Sequence, residues 1–267
     1  LKTMAGKDVT IRLLDAPLHE FMPHNDAEFE SLMAYLGSGK KGSKAPSKAE
    51  VRARIEALAE FNPMLGHRGC RIAVSYPEIY AMQTRAIFQA AYRLRDEKVD
   101  VRPEIMIPIV MNASELKLIV YGKKIEGKAY KGIVEIEEDA RRELKAKPIE
   151  YRVGTMIELP AAALTAGEIA KYSEFFSFGT NDLTQTTLGI SRDDFNTFMP
   201  DYSQFDLVEG NPFSNLVAPV KELVAMATRR GRMTRPSLHV GLCGEHGANP
   251  DNVRFCMDAG LDYVSCS

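Results

Sequence analysis

Cysteine is scarce: Cys70, Cys243, Cys256 and Cys266 are the only four in 267 residues. None forms a CxxC pair, so the chain does not encode a disulfide scaffold, and a reducing cytoplasm is the simplest setting. Charge of either sign is not in excess. A net charge of -2 and a pI near 6.3 give no global drive toward nucleic acid or an anionic membrane. No apolar run approaches the ~20 residues of a membrane span. The opening residues Leu1 to Gly6 carry no signal-peptide pattern and no Met at position 1, so the chain reads as a piece of something longer. There is no internal repeat. The basic low-complexity stretch 37–48 lacks the strand-to-helix context and Gly-Lys-Ser/Thr ending of a P-loop, and reads as a mobile surface loop.

What is present suits one large α/β domain over residues 1–267. The chain is 45% hydrophobic and 26% charged, and undivided barrels run to roughly 250 residues. Strand-like runs alternate with helical patterns, as in parallel βα units. The strand runs are 9–15, 104–110 with a bend at Pro108, 153–158, 175–182, 238–244 and 262–266. A shorter run, Leu65 to Gly69, brings the generous count to seven. A helix is expected from about Ser75 to Arg95, with Ser75 and Glu78 spaced as a capping box and Ile79, Met82, Ala86, Ala90 and Leu94 on its buried face. Further helices are expected from Pro160 toward Ile169 and from Val217 to Arg230, the latter ending at Gly231. A closed ring needs eight strands, and the chain stops inside its last one. The expected fold is therefore a (β/α)8 TIM-type barrel, truncated at its first strand and last helix.

Two carboxylates carry most of the functional information. Glu158 and Asp182 each end a short apolar strand run just before a helix. Strand ends of a barrel converge on one face, where paired carboxylates repel unless a proton or a hard cation such as Mg²⁺ intervenes. The structural alternative is that both are helix caps. Arg12 stands in an apolar strand, where a buried arginine demands an anionic partner. Arg68 sits beside Gly69, which permits close backbone approach. Cys70, Cys256 and Cys266 read as small core residues. Cys243 differs from them in standing at a strand end before Gly244.

The strings Thr10–Asp15, Asn62–Gly69, Gly154–Glu158, Phe176–Gln185 and Cys243–Gly247 occur in this order. Together they resemble the PEP-binding barrel of the phosphoenolpyruvate-utilising enzymes, from about Val9 to Ser267. The closing stretch, Arg12 to Asp15 and residues 231–236 resemble the dikinase-type members in particular. The resemblance implies a phosphotransferase. A full-length member interconverts ATP, phosphate and pyruvate with AMP, diphosphate and PEP, and this domain hosts phosphoryl transfer between a phosphohistidine of a separate domain and pyruvate enolate. None of His19, His24, His67, His239 and His246 has the Thr-Ser-His context of the carrier histidine. The carrier and the ATP site are thus expected outside this chain, which alone would not complete the reaction. The family's first barrel strand, with its Arg-Thr-Glu signature, is also absent.

The same resemblance assigns roles. Arg12 and Arg68 grip the PEP phosphate. Glu158 and Asp182 hold Mg²⁺, which bridges them to the substrate. Gly179, Thr180, Asn181 and Asp182 contact the substrate carboxylate, with Asn181 alternatively a turn former. Arg192 matches a ligand-contacting arginine, or else is a solvated loop charge. Cys243 is the general acid–base at the methylene carbon, with Glu245 and His246 hydrogen-bonding the thiol or gating the site. His67 reads as structural. Expected partners are PEP or pyruvate, the phosphohistidine domain and a second copy of the barrel in a homodimer, with no nucleic acid and no membrane. The expected location is the cytoplasm, or the plastid in a plant. Three alternatives stay open. One is a synthase-type or sugar-phosphotransferase-system member of the family. Another is a metal-dependent pyruvate aldolase or lyase. The last is a catalytically silent binding or dimerisation module.

Overall fold

A computed structural model describes residues 1–38, 45–60, 62–208 and 210–266. In chain order the elements are β1 (Asp8–Arg12), α1 (Asp26–Gly37), α2 (Lys48–Leu58), α3 (Cys70–Ser75), α4 (Pro77–Asp96), β2 (Arg102–Ile107), α5 (Ala113–Tyr121), β3 (Lys123–Ile125), β4 (Lys128–Tyr130), α6 (Ile133–Glu143), β5 (Arg152–Ile157) and α7 (Pro160–Leu164). There follow α8 (Ala166–Ile169), β6 (Phe175–Gly179), α9 (Thr180–Leu188), α10 (Met199–Gln204), α11 (Ala218–Thr234), β7 (His239–Cys243), α12 (Pro250–Asp258) and β8 (Tyr263–Val264).

Six strands form one all-parallel sheet in the order β1-β2-β5-β6-β7-β8, and β3 pairs with β4 as a separate antiparallel hairpin. Side chains alternate across the sheet, and its two faces differ in kind. One face carries Ile105, Ile107, Val153, Ile157, Phe176, Phe178, Val240 and Leu242, which join the helices in the main core. In the same registers the other face carries Arg12, Met106, Gly154, Met156, Ser177, Gly241 and Cys243. A flat sheet would put β1 and β7 roughly 19 Å apart at ~4.8 Å per strand. The Arg12 charge nevertheless acts on the Cys243 thiol, because the sheet curls with its polar face inward. That curl brings the far strands' polar residues to one place.

The α/β class and the order of parallel strands match the sequence expectation. Among the described residues the sheet is open, with β1 and β8 as its edges, a curled half-barrel consistent with the expected truncation. Leu65 to Gly69 is not a strand but a turn leading into α3. The Ser75 capping box does not form, because Ser75 closes α3 and α4 begins at Pro77 with Tyr76 as its uncapped N-cap. The buried face of α4 is Tyr80, Thr84, Ile87, Phe88, Ala91 and Tyr92, whereas Met82, Ala86 and Ala90 are exposed. Small alanines mimic a core stripe in a pattern count, but the aromatic residues set which side turns inward. Helix α11 does not stop at Gly231. A Cβ there would meet Phe176 and Leu238 side-chain atoms at 2.7 and 2.6 Å, so the glycine marks a close helix–sheet approach inside the helix. The expected helix from Pro160 is two short ones divided at Thr165.

Part of the 37–48 stretch, residues 39–44, lies outside the described residues. Its flanks are ordered by α1, which includes Gly37, and by Ser47, which closes a capping box with Glu50 at the start of α2. Cys70 and Cys256 are buried as expected, but Cys266 is exposed and its thiol donates to the Gly247 carbonyl at 3.1 Å. Among the described residues no helix is long and apolar enough to cross a membrane.

Candidate active site

Glu158 follows β5 and is fully buried. Its Oε1 accepts a 2.5 Å hydrogen bond from the Ile109 backbone N–H. Ile109 comes just after Pro108 and has a φ of 51°, a conformation that β-branched residues avoid. The bend expected at Pro108 is thus a strained turn, and it aims a backbone donor at the carboxylate. Glu158 Oε2 is buried with no hydrogen-bond partner. Space for it comes from Gly179, where a Cβ would lie 2.3 Å from that oxygen. Burial pushes the Glu158 carboxyl up from its ordinary range. The charges of Asp182 and Asp15 add to the rise, while the Ile109 N–H and Arg68 oppose it.

Asp182 lies in the first turn of α9, three residues beyond the end of β6. It is not a cap, since Gly179 is the N-cap of α9, and Glu158 is not one either, since Leu159 precedes α7. The capping alternative therefore fails for both acids. Asp182 Oδ1 instead accepts from Arg68 Nη1 at 3.0 Å.

Arg68 is buried and almost fully engaged. Its Nη2 donates to Asp15 Oδ2 at 2.6 Å, its Nε to Asp15 Oδ1 at 3.2 Å, and its Nη1 also to the Met64 carbonyl at 3.2 Å. Burial works against its charge, but the bonds to Asp15 and the charges of Asp182 and Asp15 outweigh it and hold the guanidinium pKa above its ordinary value. Gly69 permits this packing, with a φ of 56° and a would-be Cβ 3.2 Å from Asp15 Oδ1. Arg12 departs from expectation. Its side chain is 46% exposed and lies on the polar face of the sheet, paired with Asp15 Oδ2 at 3.1 Å. Its anionic partner exists, but its burial does not.

Cys243 ends β7, and its thiol donates to the Phe178 carbonyl at 3.6 Å. Burial raises its pKa, the Ser177 hydroxyl opposes that, and Glu158, Arg12 and Asp182 all act on it electrostatically. The thiol therefore shares its surroundings with both carboxylates and with Arg12. Tyr263, on β8, packs over Gly241. Burial pushes its phenol up to about 12, against the same Ser177 hydroxyl. Sequence reasoning missed Asp15, Ser177 and Tyr263 as members of this cluster. The strand period could have found Ser177, two residues before Gly179 on one face.

Neither Glu245 nor His246 hydrogen-bonds the thiol. Glu245 pairs with Arg192 at the surface, and the Arg192 backbone N–H donates to Gln185 Oε1 at 2.7 Å. His246 is buried between the Pro212 carbonyl, 2.9 Å from Nε2, and the Thr180 hydroxyl, 2.8 Å from Nδ1. A carbonyl only accepts, so Nε2 carries the proton and Nδ1 accepts from Thr180. Burial lowers the His246 pKa, in keeping with a neutral ring. Thr180 is thus committed to His246, and Asn181 keeps a buried side-chain oxygen with no partner. His67 stacks on Tyr76 with ring centroids 5.7 Å apart.

The donor set suits a hard cation. Glu158 Oε2 and Asn181 Oδ1 are orphaned buried oxygens, and Asp182 is adjacent. Among the described residues no three His, Cys, Asp or Glu side chains converge on a point. Mg²⁺ ordinarily takes one or two carboxylates and completes its shell from substrate and water, so the sparse set fits. A hollow of about 1210 Å³, lined by Leu188, Tyr202, Leu207 and Lys221, lies away from this cluster. A smaller one of about 440 Å³, lined by Met64, Gln185, Ser191 and Asp193, adjoins Arg68 through Met64.

Residues 1–267 match the family described as PEP-utilising enzyme, PEP-binding domain. The whole chain is 66% identical to part of a pyruvate, phosphate dikinase of Treponema pallidum (strain Nichols), covering 29% of that protein. It is 48% identical to part of a pyruvate, phosphate dikinase of Clostridium symbiosum, covering 28%. It is also 49% identical to part of the chloroplastic pyruvate, phosphate dikinase 1 of Arabidopsis thaliana, covering 26%. The chain thus spans little more than a quarter of the length of these relatives. It belongs to the PEP-utilising enzymes, as their PEP-binding domain.

Proposed function

We propose that the chain is the PEP- and pyruvate-binding domain of a pyruvate, phosphate dikinase, and that it hosts phosphoryl transfer between a phosphohistidine on another domain and the enolate of pyruvate. One observation carries the reading. Two arginines, two carboxylates and a thiol, drawn from β1, β7 and the segments after β5 and β6 and before α3, are brought to one end of a curled parallel sheet. Phosphoryl transfer is mainly positioning and electrostatics. Arg12 and Arg68 supply fixed cations for phosphate oxygens, and guanidinium forks match that geometry.

Glu158 and Asp182 would hold Mg²⁺, with Asn181 close by. When bound, the ion supplies Lewis-acid polarisation of the substrate's carbonyl oxygen. Cys243 moves the proton. Its raised pKa keeps the thiol protonated near neutral pH. In the pyruvate-forming direction it hands a proton to the methylene carbon and becomes a thiolate. In the PEP-forming direction the thiolate takes a methyl proton back. The backbone at Gly179 and the first turn of α9 would face the substrate carboxylate, and Arg192, tied to Glu245, would contact the ligand from the loop after α9. The carrier histidine, the ATP site and dimerisation through this domain belong to the same proposal.

Calorimetric titration with PEP and with oxalate, an enolate mimic, tests it. Both should bind with Mg²⁺ and bind far more weakly after its removal by chelator. Binding that is absent, or indifferent to Mg²⁺, overturns the proposal.

A further inference from the structure

Asp15 has no part in the reading above, yet it touches both arginines. One oxygen, Oδ2, lies 2.6 Å from Arg68 Nη2 and 3.1 Å from Arg12 Nη1. Two guanidinium groups drawn to the same atom would repel each other without its charge between them. Arg68 does not depend on Asp15 alone, because Asp182 and the Met64 carbonyl also hold it. Arg12 is different. It is half exposed, and its other polar contact among the described residues is the Met156 sulfur at 3.8 Å, a weak acceptor. Asp15 is itself buried and fixed by two bonds from Arg68. The direction of dependence is therefore clear: Arg68 anchors Asp15, and Asp15 anchors Arg12.

We propose that Asp15 is a positioning residue that pins the exposed Arg12 against the buried Arg68, so that the two guanidinium groups form one cradle and the site favours a phosphorylated three-carbon acid over an unphosphorylated one. The inference rests on the proposed PEP-binding reading and adds a residue to it. A flexible arginine must be ordered before it can grip a phosphate, and a partner that orders it in advance raises affinity. Removing Asp15 would also make the cradle more positive, which favours an anion. At half-exposed Arg12 that gain is screened by solvent, whereas the fixing of its side chain is lost altogether. Positioning should therefore dominate.

The test compares the chain with Asp15→Asn and Asp15→Glu, titrated with PEP and with oxalate in the presence of Mg²⁺. Asp15→Asn should weaken PEP binding by about tenfold and leave oxalate, which has no phosphate, within about twofold. Asp15→Glu, which keeps the charge on a longer arm, should lie between. Nitrogen-15 spectra give a readout that a merely structural role would not move: in Asp15→Asn the Arg12 Nε–H signal should collapse into the solvent-exchanged envelope while that of Arg68 stays resolved. Unchanged or tighter PEP binding in Asp15→Asn, or equal losses for both ligands, overturns the proposal. Should Asp15→Asn fail to fold, Asp15→Glu decides by the same contrast between ligands. A chain that binds neither ligand before substitution removes the parent reading as well, which separates the two failures.

Discussion

Single side chains here are governed by how little space they have. Gly179 is the sharpest case, since a methyl group there would press on Glu158 Oε2 at 2.3 Å and Met156 Cε at 2.7 Å. Gly179→Ala should cost about 1–3 kcal/mol of stability, as overpacking does, and should abolish Mg²⁺-dependent oxalate binding. A thermal melt and a calorimetric titration check the two parts. The thiols make a second prediction. Cys266 is exposed, Cys243 is partly buried with its pKa raised by burial, and Cys70 and Cys256 are enclosed. Alkylation followed by mass spectrometry should modify Cys266 first, Cys243 slowly, and Cys70 and Cys256 only on unfolding. Fast labelling of Cys243 at neutral pH would contradict its assignment as a protonated acid. At this scale the sequence revealed which residues to watch but not their state. Arg12 and Arg68 both read as phosphate grips, and only the structure separates an enclosed, almost fully engaged guanidinium from a half-exposed one.

Among elements, the turn after β7 and the start of α9 are joined by His246. Its neutral ring accepts a hydrogen bond from the Thr180 hydroxyl and donates one to the Pro212 carbonyl. Because burial lowers its folded pKa, the unfolded chain binds the proton first as pH falls. The stability it contributes is present above the unfolded value of ~6.5 and is lost as pH drops toward the folded value. Melting temperatures at pH 8 and pH 5.5 should fall more for the wild-type chain than for His246→Gln; equal falls would refute the assignment. The Arg192–Glu245 pair, by contrast, joins side chains 36% and 60% exposed. Its removal by Glu245→Ala should cost only about 0–1 kcal/mol in a thermal melt.

Element positions were largely legible, because strands buried against helices read as apolar runs and β5, β6 and β7 stop within three residues of their expected ends. The helix faces were less so. Counting apolar residues on α4 selected Met82, Ala86 and Ala90, which face solvent, because alanine fits either side and the large Tyr80, Phe88 and Tyr92 decide the orientation. Glycine misled at α11 for a similar reason. Gly231 looks like a helix stop, but its lack of a side chain serves packing against Phe176.

For the whole molecule, the two unlike faces of the sheet are the organising fact. A parallel sheet is ordinarily covered on both sides by apolar layers. Here the second face carries Arg12, Ser177, Gly179 and Cys243, and curls around them. A curl of that kind is invisible in a linear pattern, which showed too few strands for a closed ring but not how the remaining sheet, open at β1 and β8 among the described residues, bends its polar face inward. That is why Asp15 escaped notice: its meaning lies in two arginines, Arg12 and Arg68, from distant parts of the chain. The most direct measurement is a crystal structure of the chain grown with Mg²⁺ and oxalate. The account predicts the ion between Glu158 and Asp182, the oxalate beside it, and Arg12 and Arg68 facing the same space. Oxalate seated elsewhere, for example in the larger hollow beside Tyr202, with no ion at the two acids, would contradict it.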